Sequence, residues 1–166
     1  MCSFGDMKME GEKKSVVLLV EDDPGDQKLM RYALSQQKLQ SHLEIVGTGE
    51  EALDYLDRST QDGSGASRPH LILLDLNMPG IGGKEFLRRV KEDPRFTDIP
   101  VVIVSTSDAN TDIQDSYRLK AAGYIQKCPS PDDLKRVVQK LVQYWFATST
   151  LVMCENYMAE NASRSE

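Results

Sequence analysis

The chain has 166 residues, of which 40% are hydrophobic and 28% charged, a composition typical of one globular domain and not of a disordered or fibrous protein. Its formal net charge of −6 disfavours direct binding to nucleic acid or anionic lipid, because both are themselves negatively charged. No apolar run approaches the roughly 20 residues of a membrane span, and the N-terminus lacks the apolar segment of a secretory signal, so we expect a cytoplasmic protein without a membrane partner.

Short apolar runs alternate along the chain with longer segments in which apolar residues recur every three or four positions. Such runs are too short for typical helices, and their continuous apolar character predicts strands buried on both faces. In chain order, the predicted strands are residues 16–20, 43–46, 71–74, 101–104 and, with a weaker pattern, 124–126.

The intervening segments predict five amphipathic helices. Thr48 and Glu51 form a capping box at the start of the second helix, and Ser130 with Pro131 supplies an N-cap and an N1 proline for the fifth. Gly123 is expected to end the fourth helix. The apolar positions that define the helices are Leu29, Met30, Ala33 and Leu34 within residues 25–37; Ala52, Leu53 and Leu56; Phe86, Leu87 and Val90; Ile113, Tyr117 and Ala121; and Leu134, Val137, Val138, Leu141, Val142 and Trp145.

Strands that alternate with helices predict right-handed crossovers and a parallel sheet covered on both faces. We therefore expect an α/β fold of the (βα)5 doubly wound type, with one domain at residues 14–146. Residues 1–13 predict a flexible N-terminal arm, residues 58–68 a polar loop without chemistry of its own, and residues 147–166 a C-terminal tail.

Polar residues directly follow four of the predicted strands. In an open α/β sheet the functional crevice lies beyond the carboxyl ends of the strands, so these residues converge on one pocket if the first, third, fourth and fifth strands are neighbours. They are Glu21, Asp22 and Asp23 after the first strand, Asp75 and Asn77 after the third, Ser105 and Thr106 after the fourth, and Lys127 after the fifth.

The predicted pocket combines clustered carboxylates with one ammonium group. Carboxylates at adjacent strand ends repel one another unless a cation lies between them, and oxygen ligands favour Mg²⁺ or a similar octahedral ion such as Mn²⁺. Asp75 beside such an ion and opposite Lys127 suits phosphoryl transfer, because fixed cations stabilise the charge on the equatorial oxygens of the migrating group. The hydroxyl of Ser105 is then placed to hydrogen-bond a phosphoryl oxygen and to move its loop.

Four segments resemble the signatures of the receiver domains of two-component response regulators: LLVEDD at 18–23, LLDLNMPGIGG at 73–83, VVIVSTS at 101–107 and YIQK at 124–127. The resemblance covers about residues 14–146. It implies a flavodoxin-like receiver fold with strand order 2-1-3-4-5, and a single-domain regulator that is not an enzyme beyond its own phosphotransfer and autodephosphorylation. It also implies that Asp75 accepts a phosphoryl group from a partner sensor histidine kinase.

The same resemblance implies the metal ligands. Asp22 and Asp75 would contact Mg²⁺ directly, Glu21 would act through water, and the backbone carbonyl of Asn77 would complete the protein ligands.

Further roles are implied for residues around the phosphoryl group. Ser105, Thr106 and Lys127 would bind it, and Ser105 with Tyr124 would form a switch pair acting on the face made by the fourth helix, fifth strand and fifth helix. Asn77 and Ser107 would flank the path of attacking water and set the dephosphorylation rate.

Two segments are similar to those of small regulators that partner phytochrome-type histidine kinases. They are the opening EDDPGD at 21–26 and the aromatic, threonine-rich ending at 143–150, and the similarity implies a homodimer through the last helices.

One departure from the family pattern concerns Lys127, which is usually followed directly by proline. Here Cys128 intervenes, and a cis peptide before a non-proline residue costs about 3 kcal/mol, so the geometry of this loop stays open.

Three other functions compete with that of a switching regulator. A haloacid-dehalogenase-like phosphatase needs a second acid two residues after its aspartate, where this chain has the non-titrating Asn77. A flavodoxin-like electron carrier needs a neutral, donor-rich loop after the first strand, where Glu21, Asp22 and Asp23 would repel a cofactor phosphate. A phosphorelay intermediate or phosphate-sink adaptor without conformational output remains open.

Overall fold

A computed structural model describes residues 15–37 and 41–148 of the chain. Within these ranges the strands are β1 (Ser15–Val20), β2 (Ser41–Val46), β3 (Leu71–Leu74), β4 (Val101–Ser105) and β5 (Gly123–Gln126). The helices are α1 (Pro24–Ser35), α2 (Gly49–Ser59), α3 (Gly82–Glu92), α4 (Asn110–Arg118) and α5 (Pro131–Gln143), and a π-helical turn (Tyr144–Thr148) extends α5. The predicted arm at residues 1–13, and the tail beyond residue 148, lie outside the described residues.

The described strands are all parallel and form one sheet in the order β2-β1-β3-β4-β5. The predicted (βα)5 doubly wound fold and its strand order are therefore confirmed. β3 and β4 are buried along their whole length, whereas β2 at the sheet edge is only partly covered. No helix in the described part of the chain is long and apolar enough to cross a membrane.

Alternate residues along the central strands face two separate hydrophobic cores, because successive side chains of a strand point to opposite faces of the sheet. One core joins Leu18, Val20, Ile72, Leu74, Val101 and Ile103 to Ala52, Leu56, Phe86, Leu87 and Val90 of α2 and α3. The other joins Val17, Leu19, Leu71, Leu73, Val102 and Val104 to Met30, Ala33, Leu34, Leu134, Val138 and Val142 of α1 and α5. The apolar patterns of these four helices thus correctly predicted their buried faces.

The fourth helix is present as predicted, but its predicted end and the predicted burial of Tyr117 were wrong. α4 ends at Arg118, and Lys120 adopts a left-handed φ of 65°, so Gly123 begins β5 instead of ending a helix. Tyr117 is 51% exposed. Ser116 is the buried residue, and its hydroxyl donates to the Asp112 carbonyl over 2.7 Å. Ala121 is buried in the core, but it lies beyond the end of the helix and so does not extend a helical stripe.

The predicted caps of α2 and α5 are present, with one difference. The Thr48 hydroxyl accepts from the Glu51 N–H at 3.2 Å, and the Ser130 hydroxyl accepts from the backbone N–H three residues later at 3.4 Å. The Glu51 carboxylate, however, accepts from the Gly47 N–H at 2.8 Å and not from Thr48. The reciprocal bond of the capping box is therefore displaced by one residue.

The polar segment predicted as a loop at residues 58–68 begins inside α2, which continues to Ser59. Its far end is tied to the body of the domain. The Tyr55 hydroxyl donates to the Ser67 carbonyl over 2.8 Å, and Arg68 pairs with Asp98 at 2.6 Å.

The start of α3 packs against the end of β3 through Gly83. A Cβ at this position would lie 2.3 Å from the Asp75 carbonyl oxygen and 2.6 Å from the Leu76 Cα. Both obstructing atoms belong to the backbone, so neither can rotate away.

Gly83→Ala should therefore lower the free energy of unfolding by about 3 kcal/mol, through overpacking against the backbone. Gly47→Ala is the matched control, because its Cβ would make only an ordinary contact, 3.6 Å from the Glu51 carboxylate. Urea unfolding measures both variants. Equal stability of the two would show that close backbone approach does not require glycine at position 83.

His70, just before β3, continues the pairing of β1 with β3 through its side chain. The backbone N–H of His70 donates to the Val16 carbonyl over 2.8 Å, and the imidazole Nδ1 of His70 accepts from the Val16 backbone N–H over 3.0 Å. Nδ1 can accept only while it carries no proton. Burial, with a smaller contribution from Arg68, lowers the pKa of His70 below its ordinary value of 6.5.

Because this pKa is lower in the folded than in the unfolded chain, the stability it contributes is complete above pH 6.5 and is lost as the pH falls below that value. His70→Phe should cost about 1 to 2 kcal/mol at neutral pH, by leaving the Val16 N–H without its acceptor, and should lose less stability on acidification than the wild type. Urea unfolding above and below pH 6.5 compares them. Wild-type acid sensitivity in His70→Phe would exclude His70 as its source.

Candidate functional site

Backbone hydrogen bonds continue the sheet by one residue past the strand ends and so position the predicted site. The Glu21 N–H donates to the Val46 carbonyl and the Asp75 N–H to the Val20 carbonyl, each over 3.0 Å. The Lys127 N–H donates to the Ser105 carbonyl over 2.7 Å. Each of these side chains therefore begins at a rigid point on the carboxyl edge of the sheet.

Glu21, Asp22 and Asp75 form an acidic cluster in which one carboxylate oxygen of each lies within 4.8 Å of the others. Glu21 and Asp75 are buried, 1% and 6% exposed, while Asp22 is exposed at the mouth of the site. Three like charges this close repel one another, and hard oxygen donors are the ligands that Mg²⁺, Mn²⁺ and Ca²⁺ prefer. The cluster can hold a divalent metal ion.

Glu21 is fixed by bonds to both its carboxylate oxygens. The Asp23 N–H donates to Oε1 over 3.0 Å, and the Lys127 ammonium to Oε2 over 2.6 Å. The Gln27 side chain donates to the Glu21 carbonyl over 2.6 Å. Burial raises the pKa of Glu21 above its ordinary value, and the bond from Lys127 opposes this only in part. A carboxylate in this position gains from a further positive charge nearby.

The Lys127 side chain is only 7% exposed and meets three described carboxylates at once. Its Nζ lies 2.6 Å from Glu21, 2.7 Å from Asp26 and 3.4 Å from Asp75. Burial alone would lower the pKa of Lys127, but the bonds to Asp26 and Glu21 outweigh it and raise the pKa above its ordinary value. The ammonium therefore stays charged within the acidic cluster, beside Asp75.

Asp26 is a site residue that sequence reasoning missed. It lies in the first turn of α1, where acidic residues are common because they favour the positive end of a helix. That ordinary explanation concealed its contact with Lys127, from which it is separated by 101 positions. The acidic run from Glu21 to Asp26 was the available signal, since the helix begins directly at the crevice.

The other predicted residues lie around the cluster. The Asn77 N–H donates to Asp75 Oδ1 over 3.2 Å, which leaves the exposed Asn77 side chain free of that bond. Ser105 is fully buried, and its Oγ accepts from the Ser107 N–H over 3.3 Å. Thr106 is exposed. The Lys127–Cys128 peptide, left open by the sequence, is trans.

Tyr124 is linked to the same loop as Ser105. Its hydroxyl donates to the Ser107 carbonyl over 2.8 Å. The Ser107 side chain in turn donates to Asp112 over 2.5 Å, and Asp112 pairs with Lys84 at 2.7 Å. Lys84 also reaches Asp115 at 2.9 Å, so the start of α3 is joined to α4. This network connects the loop after β4 to neighbouring helices, and sequence reasoning did not find it.

Comparison with known proteins agrees with this geometry. The family model for the response regulator receiver domain matches residues 17–139. Response regulator Rcp1 of Synechocystis sp. is 35% identical over 145 residues, which cover 87% of this chain and 98% of Rcp1. The probable methanogenesis regulatory protein FilR2 of Methanothrix harundinacea is 36% identical over 137 residues, which cover 82% of this chain and 87% of FilR2.

Two solved structures are similar over most of their length. The phosphorylated cyanobacterial phytochrome response regulator RcpA is 39% identical, with a TM-score of 0.78 and coverage of 83% of this chain and 98% of RcpA. The Mn²⁺-bound form of Rcp1 is 36% identical, with a TM-score of 0.77 and coverage of 83% and 99%. With its fold, its acidic cluster and these matches, the chain belongs to the response regulator receiver domain family of two-component systems.

Proposed function

We propose that this receiver domain is phosphorylated on Asp75 by a partner sensor histidine kinase in a Mg²⁺-dependent reaction. One observation carries the proposal: the buried Asp75 carboxylate belongs to the three-acid cluster and also lies 3.4 Å from the charged Lys127 ammonium. A nucleophilic carboxylate flanked by a cation site and a fixed ammonium has the electrostatic environment that phosphoryl transfer requires.

The residues fit a divalent ion, because the cluster offers oxygen donors alone and carries an excess of negative charge. Asp22 and Asp75 would hold Mg²⁺ directly, Glu21 through water, and Asn77 through its backbone carbonyl. A bound ion would offset the carboxylate charge and stabilise negative charge on the phosphoryl oxygens. Mn²⁺ would serve as well, which the Mn²⁺-bound form of the similar Rcp1 supports.

The chain's own residues then divide the chemistry. A carboxylate oxygen of Asp75 bonds to phosphorus as the bond from phosphorus to the donor histidine nitrogen breaks, and the imidazole keeps the electron pair. Lys127 pairs with a phosphoryl oxygen. The hydroxyls of Ser105 and Thr106 donate hydrogen bonds to oxygens of the same phosphoryl group. The Ser105 hydroxyl can donate because its bond with the Ser107 N–H uses only the oxygen, as an acceptor.

Ser105 and Tyr124 are the proposed switch pair. Tyr124 holds the Ser107 carbonyl, so a shift of Ser105 toward the phosphoryl group would disturb the partner of the tyrosine hydroxyl. The change would reach the face made by α4, β5 and α5. Asn77 and Ser107 are the proposed positions that set the rate of dephosphorylation, by flanking the path of attacking water.

The proposal includes a cytoplasmic location and a phytochrome-type kinase as partner, and the likeness to the phytochrome response regulator RcpA supports that kinase. It also includes a homodimer through the last helices. Tyr144, directly after α5, is 55% exposed and stacks edge-on against Trp145, and exposed aromatic side chains are favoured at protein interfaces.

Acetyl phosphate with Mg²⁺ should label the wild type, and Asp75→Asn should stay unlabelled because an amide cannot replace the nucleophilic carboxylate. Intact-protein mass spectrometry detects the added phosphoryl group. Chelation of Mg²⁺ with EDTA should abolish labelling of the wild type. Equal labelling of wild type and Asp75→Asn would show that Asp75 is not the phosphoacceptor. Labelling that persists in EDTA would show that the reaction does not require a metal ion.

Beryllofluoride with Mg²⁺ should change the elution volume or the kinase affinity of the wild type if the domain switches shape. Tyr124→Phe should be phosphorylated by acetyl phosphate as the wild type is, but beryllofluoride should change its elution volume or kinase affinity less. The variant lacks only the hydroxyl that donates to the Ser107 carbonyl. Size-exclusion chromatography and kinase pull-down provide the measurements. An unchanged wild type would instead favour the phosphorelay or phosphate-sink alternative.

A further inference from the structure

The Lys127 ammonium is bound by a carboxylate that does not belong to the acidic cluster. Asp26 lies 2.7 Å from Lys127 Nζ, closer than Asp75 at 3.4 Å. Glu21, the third partner at 2.6 Å, is itself a member of the cluster. An ion bound to the cluster would share the carboxylates of Glu21 and Asp75 with Lys127. Among the described partners of Lys127, Asp26 is the one outside the cluster, so its carboxylate would still interact with the lysine alone.

The position of Asp26 is fixed by its helix. Its backbone N–H donates to the Asp23 side chain, the N-cap of α1, over 2.8 Å. Its side chain is 30% exposed, whereas the side chains of Glu21 and Asp75 are 2% and 7% exposed. Asp26 can therefore exchange its contact with Lys127 for water at lower cost than the other two partners, because its carboxylate is already partly hydrated.

We infer that Asp26 is a positioning residue that competes with the phosphoryl group on Asp75 for the Lys127 ammonium. This inference rests on the proposed function. An ammonium has three hydrogens to donate, and in this structure they face Glu21, Asp26 and Asp75. A phosphoryl oxygen gains the full charge of Lys127 only when the bond to Asp26 loosens.

Charge acts in the same direction as this competition. Phosphorylation adds negative charge to a pocket that already holds Glu21, Asp22 and Asp26. Asp26 therefore weakens the phosphorylated state both by holding the ammonium and by its own repulsion. Removing the carboxylate of Asp26 should strengthen the binding of a phosphoryl group, opposite to the effect of removing a residue that assists it.

Asp26→Asn should bind beryllofluoride, in saturating Mg²⁺, roughly two- to fivefold more tightly than the wild type, the range expected for a partly exposed charge pair. Fluorine NMR titration measures the affinity. Asp132→Asn is the matched control: it removes the same charge from an exposed residue in the first turn of α5, outside the ion pairs of Lys127 described above. Asp132→Asn should bind as the wild type does, and Asp26→Glu, which retains the carboxylate, should bind more weakly than Asp26→Asn.

A Lys127→Met background separates competition from simple charge. If Asp26 acts through the lysine, Asp26→Asn should change beryllofluoride affinity much less in this background than in the wild type. The same fold-change in both backgrounds would overturn the inference, because Asp26 would then act by repulsion alone.

A second readout needs neither metal nor phosphoryl analogue. In ¹⁵N-lysine-labelled protein free of metal, the Lys127 ammonium should exchange its hydrogens with water faster in Asp26→Asn than in the wild type or in Asp132→Asn. Identical exchange would show that Asp26 does not hold the lysine. If the wild type fails to bind beryllofluoride at all, the proposed function fails; if it binds and Asp26→Asn binds equally, the proposed function stands and the role of Asp26 is wrong.

Discussion

The balance of charge around Lys127 is the constraint on which the site depends. A buried ammonium is tolerated only when it is paired, and breaking such a pair leaves an uncompensated charge in the interior. Lys127 joins Glu21 after β1, Asp75 after β3 and Asp26 in α1. One ammonium cannot balance the negative charge that these acids and Asp22 bring to the same edge. The remaining charge is what makes the cluster suited to a divalent cation.

The sheet supplies the rigidity that this arrangement needs. Asp75 is bonded through its N–H to the Val20 carbonyl, and Lys127 through its N–H to the Ser105 carbonyl, so both side chains start from the ladder and not from a free loop. Gly83 lets α3 begin against the backbone of Asp75 and Leu76. Tight packing on the inner side leaves the crevice as the direction in which a group can be added to Asp75.

The loop after β4 connects the crevice to α4 and to the start of α3. Ser105 lies buried in the site, two residues before Ser107. The Ser107 carbonyl accepts a hydrogen bond from the Tyr124 hydroxyl, and the Ser107 hydroxyl donates to Asp112 in α4. Lys84 extends this network to the start of α3. A displacement of Ser105 therefore has defined hydrogen bonds to disturb, which gives the proposed switch a physical route to Asp112 and Lys84, two residues that lie outside the family motifs.

The sequence by itself determined the strands and the polar residues at their ends, because those features depend on local apolar patterns and on parallel-sheet geometry. The strand order was implied by the resemblance to receiver domains and not by these patterns. Tertiary structure alone decided the contact of Asp26 with Lys127, the end of α4 at Arg118 and the link from Ser107 to Lys84. These depend on which charged side chains meet across elements and on how a short helix packs. An acidic residue at the start of a helix, or an apolar stripe along one, is compatible with several structural roles. Which role applies depends on the residues that the fold brings next to it.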